Sequence, residues 1–314
     1  MFTLCAAMVI FSASGCDNNN TRNNNGAKWY SDFSYHWQYN ENNQYENYAK
    51  HSFGTNHLCT TCGQSDPAFT SFVELSSEVK QYYAELENNN HTGQEFLADL
   101  RAFNNKKRTK YQTYDGMRYE YKYTDIDPLA GPGSPIISFY SNTKITVDWD
   151  GGATWNREHV WPNSRGGGKG SKLKPSGSRY VDADFHMPRP AVATENGSRN
   201  NKMYAKNAFD PGYKYPAYRG IAARIIFYCA MSDADLKIER VSNKTNTEPG
   251  YNCTMGNLTD LLQWNKDYLP SNSNNATLEL RVEQNRNNVI QKKYQGNRNP
   301  FIDHPEYAFR VWGY

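Results

Sequence analysis

The sequence is poor in apolar residues and contains no apolar run long enough to cross a bilayer. Hydrophobic residues make up 38% of the 314 residues, and the mean hydropathy is −0.89. Much of the polarity comes from asparagine, in runs such as CDNNNTRNNNG and ENNNH that cannot supply apolar burial. These runs are expected to be loops or disordered segments. The chain is still long enough to bury a sizeable core, in one large domain or two small ones.

The first 16 residues are expected to form an export signal. MFTLCAAMVIFSASGC is apolar from Phe2 to Phe11 and then runs through small residues to Cys16, but it is too short to span a bilayer. The stretch ASGC resembles a bacterial lipobox, in which Cys16 would be lipidated, although Ala13 stands where leucine is usual. An ordinary cleaved signal explains the pattern equally well, so membrane anchoring through Cys16 and free secretion both stay open. Both interpretations predict an exported protein, whether periplasmic, secreted or held at the cell surface.

The sequence also lacks a second CxxC motif. Cys59 and Cys62 form one, but Cys229 and Cys253 lie far apart. A four-cysteine zinc ribbon is therefore a poor match, and disulfides are favoured in an exported protein. Once Cys5 and Cys16 of the expected export signal are set aside, four cysteines remain and allow three pairings, among which the sequence does not choose. Cys229 lies in an apolar run, where a buried thiol is the alternative.

Helix and strand patterns are mixed without a βαβ alternation, and no internal repeat is present. This mixture predicts an α+β fold. Residues 17–76 are interpreted as an Asn-rich linker that carries the CxxC motif, because their low complexity argues against a full domain. Residues 77–314 are expected to form the compact domain.

Within that domain, several elements are predicted from local patterns. Thr92 and Glu95 form a capping-box pattern at a helix start, and YRGIAARIIFYCAM predicts a buried helix. SPIISFYS predicts a strand, and a turn at Gly151-Gly152 is followed by a strand that ends at Pro162. QGNRNPFIDHPEY holds two prolines and is expected to be largely irregular.

The run NSRGGGKGSKLKPSGSR, residues 163–179, contains five basic residues and no acidic one. Its glycines and serines predict a long mobile loop. A solvated loop is the plain interpretation, and an arm that contacts phosphate is the alternative, with Arg165 and Arg179 as candidates. The run alone favours the solvated loop. The net charge of +3 and the 24 tyrosines suit polyanion binding only weakly, because a solubilising surface gives the same charge.

The adjacent pair Glu158-His159 is the first candidate for chemistry. Neighbouring side chains on a strand point to opposite faces, so the pair serves one site only if the strand ends or twists there. Pro162 makes a nearby strand end plausible, since proline cannot donate to a central ladder. Taken alone, the pair is better explained as a partly exposed polar pair at a strand end.

A second cluster changes that balance. DADFHMPRP places Asp182, Asp184, His186 and Arg189 within eight residues. Farther on, Asn196 and Arg199 stand three residues apart, on one helical face, and Asn196-Gly197 is a poor helix-forming pair. Together these residues supply oxygen ligands for a hard cation, an imidazole and several guanidiniums. That set fits phosphodiester hydrolysis, because Mg²⁺ takes few protein oxygens and arginine pairs with phosphate.

These motifs resemble the bacterial endonuclease I family of secreted or periplasmic nucleases, in the ββα-metal (His-Me finger) superfamily. The family pattern is matched by NREHVWP, by DFHMPRPA and by the Asn, Arg, Asn and Lys of NGSRNNK, in that order, and the tail QGNRNPFIDHPEY resembles its carboxyl-terminal signature. The resemblance runs from about Val79 to the end of the chain. It implies mixed helices and short strands around a ββα-metal nuclease core.

The resemblance implies a role for each matched residue. His159 would be the general base that takes a proton from the attacking water. Glu158 and Asn196 would bind one Mg²⁺, for which Mn²⁺ or Ca²⁺ could substitute. Cleavage on the side of the 3′-oxygen would leave 5′-phosphate and 3′-hydroxyl ends.

Other charged residues are weaker candidates. Arg189 and Arg199 are expected to clamp the phosphate, and Arg189 is counted among the catalytic residues. For each of these two, a structural pairing with Asp184 or with a helix end is an equally good explanation. Arg157 is expected to be a further substrate contact. Asp182 stands where some family members have a glutamate, so it would assist proton transfer or only support the metal site. The spacer before Asp184 varies in the family, so no phosphate contact is transferred from it.

Three functions are compatible with these residues. The first is an exported, metal-dependent endonuclease, a monomer, that cuts DNA and RNA with little sequence specificity, since contacts to phosphate, metal and sugar carry no base code. The second is a ribonuclease of the same family that is restricted to RNA. The third is a surface lipoprotein that binds nucleic acid without cutting it, which the intact Glu158, His159 and Asn196 disfavour.

Overall fold

The computed structural model describes residues 28–31, 35–39, 45–55, 57–60, 63, 65–87, 89–168, 174, 179–239, 253–271 and 273–313. The described residues before Ser71 belong to one compact unit, and residues 71–312 form a second. The predicted export signal with Cys16 lies outside the described residues, as do Cys62 and most of the basic run after Gly168. Among the described residues, no helix combines the length and apolarity needed to cross a bilayer.

The first unit contains a three-stranded antiparallel sheet in the order β1-β2-β3. Its strands are β1 (Lys28–Ser31), β2 (Tyr35–Tyr39) and β3 (Tyr45–Lys50). The expected linker over residues 17–76 left out this sheet. The asparagines there lower the hydropathy, but tyrosine and tryptophan recur between them, and aromatic residues favour strands.

The second unit mixes helices with short strands. Its helices are α1 (Ser77–Tyr83), α2 (Gly93–Lys107), α3 (Tyr121–Thr124), α4 (Ala193–Arg199), α5 (Tyr218–Ser232), α6 (Leu258–Asp267), α7 (Leu278–Val289), α8 (Pro300–Asp303) and α9 (Tyr307–Trp312). Its strands are β4 (Ile136–Ile137), β5 (Lys144–Ile145), β6 (Trp155–His159), β7 (Pro188–Val192), β8 (Lys237–Ile238) and β9 (Thr254–Met255). The strands pair only two by two, β4 with β5, β6 with β7, and β8 with β9. This arrangement confirms the α+β class.

Helix α5 is the central core element, and its predicted burial is confirmed. It packs against α2 and α6, and 13 of its 15 residues are buried. One of them, Arg224, donates from Nε and Nη2 to the two carboxylate oxygens of Glu283 on α7, at 2.8 and 2.7 Å. Cys229 of α5 is a fully buried free thiol, so the alternative to a disulfide holds for this cysteine.

Two local predictions need correction, and a third holds for most of its residues. Thr92 does stand before α2, but its side chain accepts no capping hydrogen bond. The strand predicted from SPIISFYS shrinks to the two residues of β4. The segment QGNRNPFIDHPEY is largely irregular, as predicted, apart from α8 and the first residue of α9. Helix α8 forms there because Pro300 occupies its first turn, where the missing N–H costs nothing, and the Asn299 side chain accepts from the Phe301 amide.

The antiparallel pair β6-β7 and the helix that follows it position the candidate site. The turn at Gly151-Gly152 is confirmed, with φ of 78° and 97°, and β6 ends at His159, three residues before Pro162. Glu158 lies opposite Arg189 on β7. Helix α4 begins directly after β7 and packs against both strands.

Two prolines fix how β7 can pair. Pro188 lies opposite His159, and Pro190 lies opposite Arg157. The carbonyl of Pro190 accepts from the Phe139 amide at 2.8 Å, on the side away from β6. Because the nitrogen and carbonyl of one strand residue point to the same side, Pro190 belongs to a pair without hydrogen bonds to β6. By alternation, Glu158 and Arg189 form the hydrogen-bonded pair.

Candidate active site

Glu158 is a fully buried carboxylate one residue before the end of β6. Its Oε1 accepts from Nη1 of Arg199 at 2.7 Å. Its buried Oε2 makes no hydrogen bond of ordinary geometry, although the hydroxyls of Tyr140 and Tyr204 lie close to the carboxylate. Burial raises the pKa of Glu158, and the nearby Arg199 guanidinium opposes that shift. A buried carboxylate oxygen without a donor is costly unless a ligand or cation completes it.

Arg199, the last residue of α4, fixes this end of the strand. Its guanidinium also donates to the carbonyls of His159 at 2.7 Å, Val160 at 2.9 Å and Lys202 at 3.2 Å. The side chain is 1% exposed. Its position therefore matches the alternative of a structural pairing, with Glu158 as the partner in place of Asp184.

His159 lies on the opposite face of β6 from Glu158. Its ring stacks on Tyr114, with 5.1 Å between the ring centroids and 28° between the planes. Burial, together with the positive charges of Arg157 and Arg199, lowers the pKa of His159 to about 4. The imidazole is therefore neutral at neutral pH, which is the form that can accept a proton.

Asn196 of α4 reaches the same face of β6 as Glu158. Its Nδ2 donates to Oδ1 of Asn156, which precedes Glu158 by two residues and so shares its face. The hydrogen bond uses the amide nitrogen, so Oδ1 is the atom suited to a cation. No group of three or more His, Cys, Asp or Glu ligands occurs among the described residues. The candidate donors are thus one carboxylate and one amide.

Arg157 and His159 share one face of β6 and both contact Tyr114. The Arg157 guanidinium carbon lies 3.6 Å from the centroid of the Tyr114 ring, and its Nη1 donates to the Tyr114 carbonyl at 2.5 Å. Asp115 is a weaker partner, at 3.4 Å. Tyr114 thus holds the catalytic candidate and the predicted substrate contact side by side.

Arg189 is anchored by a buried carboxylate. Its Nε donates to Oδ1 of Asp125 at 2.8 Å, and Asp125 also receives Arg286 of α7. Both Asp125 and Arg189 are at most 2% exposed. Because Arg189 lies opposite Glu158 in the strand pair, its side chain leaves β7 on the face of that carboxylate.

The glycine run after Pro162 acquires a structural explanation. A Cβ atom on Gly167 would lie 2.2 Å from the Trp161 carbonyl, and one on Gly168 would lie 2.1 Å from the Asp182 carboxyl carbon. The run therefore packs backbone against the end of β6 and against the buried Asp182. Here glycine is needed for close approach, and a mobile loop does not describe these residues.

The basic residues of that run are divided by the structure. Arg165 is 3% exposed and donates to the carbonyls of Asn201 and Thr254, at 2.8 and 3.4 Å. Lys174 is also buried and pairs with Asp233 at 2.5 Å. Neither residue is placed to contact a phosphate. Arg179 is exposed, and its guanidinium carbon lies 5.0 Å from the centroid of the Tyr111 ring.

Asp184, which lies four residues before β7, is the centre of a buried hydrogen-bond network. It accepts from Arg108 at 2.8 Å, from the Tyr228 hydroxyl at 2.7 Å and from the Gln295 side chain at 2.9 Å. Burial opposes its ionisation, but Arg108 and His186 hold the pKa of Asp184 below its usual value. Burial also lowers the pKa of His186 to about 4. This network holds the chain that leads into β7.

Sequence reasoning missed two contacts that shape the site. Tyr114 stacks on His159, and Asn156 holds Asn196. Asn156 was within a matched motif, so its presence was noted without a role. Tyr114 lies 45 residues before His159, in a tyrosine-rich segment. No local pattern indicates which of those tyrosines reaches the β6-β7 pair.

Comparison with known proteins identifies the family. The family model for Endonuclease I matches residues 76–216 and 206–306. The chain is 31% identical to an extracellular ribonuclease of Bacillus amyloliquefaciens over 261 residues, covering 77% of this chain and 82% of the relative. It is 33% identical to an extracellular ribonuclease of Bacillus subtilis over 209 residues, covering 61% and 65%. No solved structure matches. The chain belongs to the endonuclease I family and is a nuclease.

Proposed function

We propose that this nuclease is an exported, metal-dependent endonuclease that hydrolyses phosphodiester bonds of RNA and DNA with little sequence specificity. The observation that carries the proposal is the placement of Glu158, His159 and Asn196 on β6-β7-α4. Two antiparallel strands followed by a packed helix have the order of elements expected for a ββα-metal core. His159 is the last residue of β6, so the strand ends where the two side chains would have to serve one site. Glu158 would hold the cation, and His159 would activate the attacking water.

The residues fit a hard divalent cation. Oε2 of Glu158 is buried and makes no hydrogen bond of ordinary geometry, and Arg199 holds the other carboxylate oxygen in place. Asn196 presents an amide oxygen to the same strand face. Mg²⁺ is bound through few protein oxygens and keeps several waters, so one carboxylate and one amide suffice. When bound, Mg²⁺ would supply positive charge against the charge that develops on the phosphate and the leaving oxygen.

His159 would act as the general base. Its neutral imidazole accepts a proton from the attacking water, and the stack on Tyr114 fixes the plane of the ring. Attack with departure of the 3′-oxygen leaves 5′-phosphate and 3′-hydroxyl ends. A positioned general base contributes about a hundred- to ten-thousand-fold to the rate.

The arginines divide into positioning and substrate roles. Arg199 would position Glu158 and the end of β6, since its hydrogen bonds end on protein oxygens. Arg189 is as buried as Arg165 and is held by Asp125 on the face of Glu158, so it would act on the phosphate through its charge and not by direct contact. Arg157 would act beside His159, and Asp182 would support the glycine run.

Export and RNA cleavage are supported by the names of the relatives. Both are called extracellular ribonucleases, which favours secretion for this chain and RNA among its substrates. A nuclease restricted to RNA is therefore the second candidate. Lipid anchoring through Cys16 stays a prediction.

The test is a cleavage assay on plasmid DNA and on an unstructured RNA. We expect Mg²⁺ to support cleavage of both, a chelator to abolish it, and His159→Ala to lower the rate at least about a hundred-fold. His91→Ala is the matched control, because His91 is exposed and pairs with Asp99 outside the site. Full activity of His159→Ala, or activity in excess chelator, would contradict the proposal. Cleavage of RNA alone would select the second candidate, and ligation of the products would report their ends.

A further inference from the structure

The segment from Arg108 to Tyr123 carries five tyrosines, and the structure gives them different environments. Tyr121 is fully buried in the core, and Tyr114 stacks on His159. In contrast, Tyr111 is 55% exposed and Tyr119 is 56% exposed. Core packing therefore explains Tyr121 but gives no reason for the two open rings.

Both open rings are flanked by guanidinium groups. The Arg108 and Arg179 guanidinium carbons lie 4.6 and 5.0 Å from the centroid of the Tyr111 ring, and that of Arg118 lies 5.0 Å from the Tyr119 ring. Arg108 is held in place by Asp184, whereas Arg179 is exposed. Tyr111 thus has one fixed and one open cationic neighbour.

The same segment reaches the candidate catalytic base. Tyr114 contacts both His159 and Arg157, and it follows Tyr111 by only three residues. Three residues of extended chain span at most about 11 Å. Tyr111 therefore lies within reach of the nucleotides that adjoin a scissile phosphate at His159.

Charge along this strip favours a polyanion. We define the aromatic strip as Tyr111, Tyr114, Tyr119, Arg118, Arg157 and Arg179. Asp115 is an exposed acid beside it, and it pairs with Arg118 at 3.3 Å and Arg157 at 3.4 Å. The buried carboxylate of Asp182 also acts on Tyr114. Two carboxylates against three guanidiniums leave the strip with one net positive charge.

We propose, building on the nuclease function above, that the aromatic strip is a stacking subsite for an unpaired nucleic-acid strand. Bases next to the scissile bond stack on Tyr111 and Tyr119, and their phosphates contact Arg179 and Arg118. Base–aromatic stacking needs an open base face, which a single strand offers and a duplex covers. Taking a base out of a duplex also costs unstacking energy. The strip therefore makes the enzyme prefer unpaired substrate.

The test measures binding without cleavage. The wild-type chain in excess chelator is titrated with an oligonucleotide that contains 2-aminopurine, as a single strand and as a duplex, in RNA and DNA forms. We expect quenching of the single strands on binding, and about tenfold weaker binding by Tyr111→Ala, from the usual contribution of one stacked base. Tyr111→Phe retains the ring and should retain affinity.

Tyr123→Ala is the matched control. Tyr123 belongs to the same segment and is 43% exposed, but its ring lies against Lys293, 3.3 Å from the ring centroid. We expect this variant to bind like the wild type. The proposal is overturned if Tyr111→Ala weakens duplex and single strand alike or weakens neither, if Tyr123→Ala matches it, or if the loss is confined to one sugar type, because stacking uses the base.

The result is independent of catalysis. Stacking without cleavage after Mg²⁺ is added would reject the nuclease mechanism and keep the subsite. Cleavage with unchanged affinity in Tyr111→Ala would keep the mechanism and reject the subsite. Circular dichroism of each variant checks that the exposed substitutions leave the fold intact.

Discussion

Removing the charge of Arg199 alone from the buried Glu158–Arg199 pair should cost more stability than removing both charges. Arg199→Met leaves the carboxylate of Glu158, which is fully buried, without its counter-ion. Breaking a buried pair in this way costs about 3–5 kcal/mol. Arg199 also donates to three backbone carbonyls, so we expect a loss near the upper end of that range. This is a large share of a typical total of about 5–15 kcal/mol.

A double-mutant cycle separates the buried charge from the lost hydrogen bonds. Glu158→Gln removes the charge, so Glu158→Gln/Arg199→Met should be more stable than Arg199→Met alone by at least about 1 kcal/mol. The free energy of unfolding is measured at pH 7 by urea titration, followed by tryptophan fluorescence and circular dichroism.

An exposed pair provides the control for this cycle. Lys106 pairs with Glu85 at 2.5 Å, and the two side chains are 66% and 41% exposed. Lys106→Met should therefore cost no more than about 1 kcal/mol. The reasoning is refuted if Arg199→Met costs no more than Lys106→Met, or if the losses of the two single variants simply add in the double variant.

Two further predictions concern stability. The pKa of His186 is lowered to about 4, so on acidification the unfolded chain takes up a proton near pH 6.5, before the folded chain does. The free energy of unfolding should therefore be fully retained above pH 6.5 and fall by up to about 3 kcal/mol toward pH 4. Urea titrations across that range should show a smaller fall for His186→Gln. Gly168→Ala places a Cβ atom against Asp182 and should lower the free energy of unfolding by about 1–3 kcal/mol. In α4, the new Cβ of Gly197→Ala meets no atom within 4 Å, so this substitution should be neutral or stabilising. Equal melting temperatures of the two variants would contradict the packing argument.

The sequence predicted those parts of the fold that depend on local periodicity. The apolar stripe of α5 and the turn before β6 are such cases, because burial and glycine conformation leave a pattern within a few residues. The sheet of the first unit was missed since asparagine dominated the composition and hid the recurring aromatic residues. Helix α8 was missed because a proline was taken as a break, although at the first turn it is compatible with a helix.

For the site, the motifs predicted which residues come together but not how each is used. Glu158 and Asn196 do share one strand face, through Asn156. Arg199 and Arg165 have the residue type of a phosphate contact, yet both are buried against protein oxygens. Whether the N–H groups of a guanidinium are already bonded to carbonyls of the protein depends on backbone that is distant in sequence. No local sequence pattern contains that information.

The pairing of β6 with β7 has a consequence for how the site tolerates insertions. If the pairing slipped by one residue, Pro188 and Pro190 would move to positions where a backbone N–H normally donates to a carbonyl of β6. Proline has no N–H, so each would leave one hydrogen bond of the ladder unmade. The same slip would exchange the faces of the two strands relative to each other, so that Arg189 would no longer lie opposite Glu158. The two prolines therefore help to fix the register of β7 on β6. Inserting or deleting one residue within β7 should disrupt the alignment of Glu158 with Arg189 even where both side chains are retained.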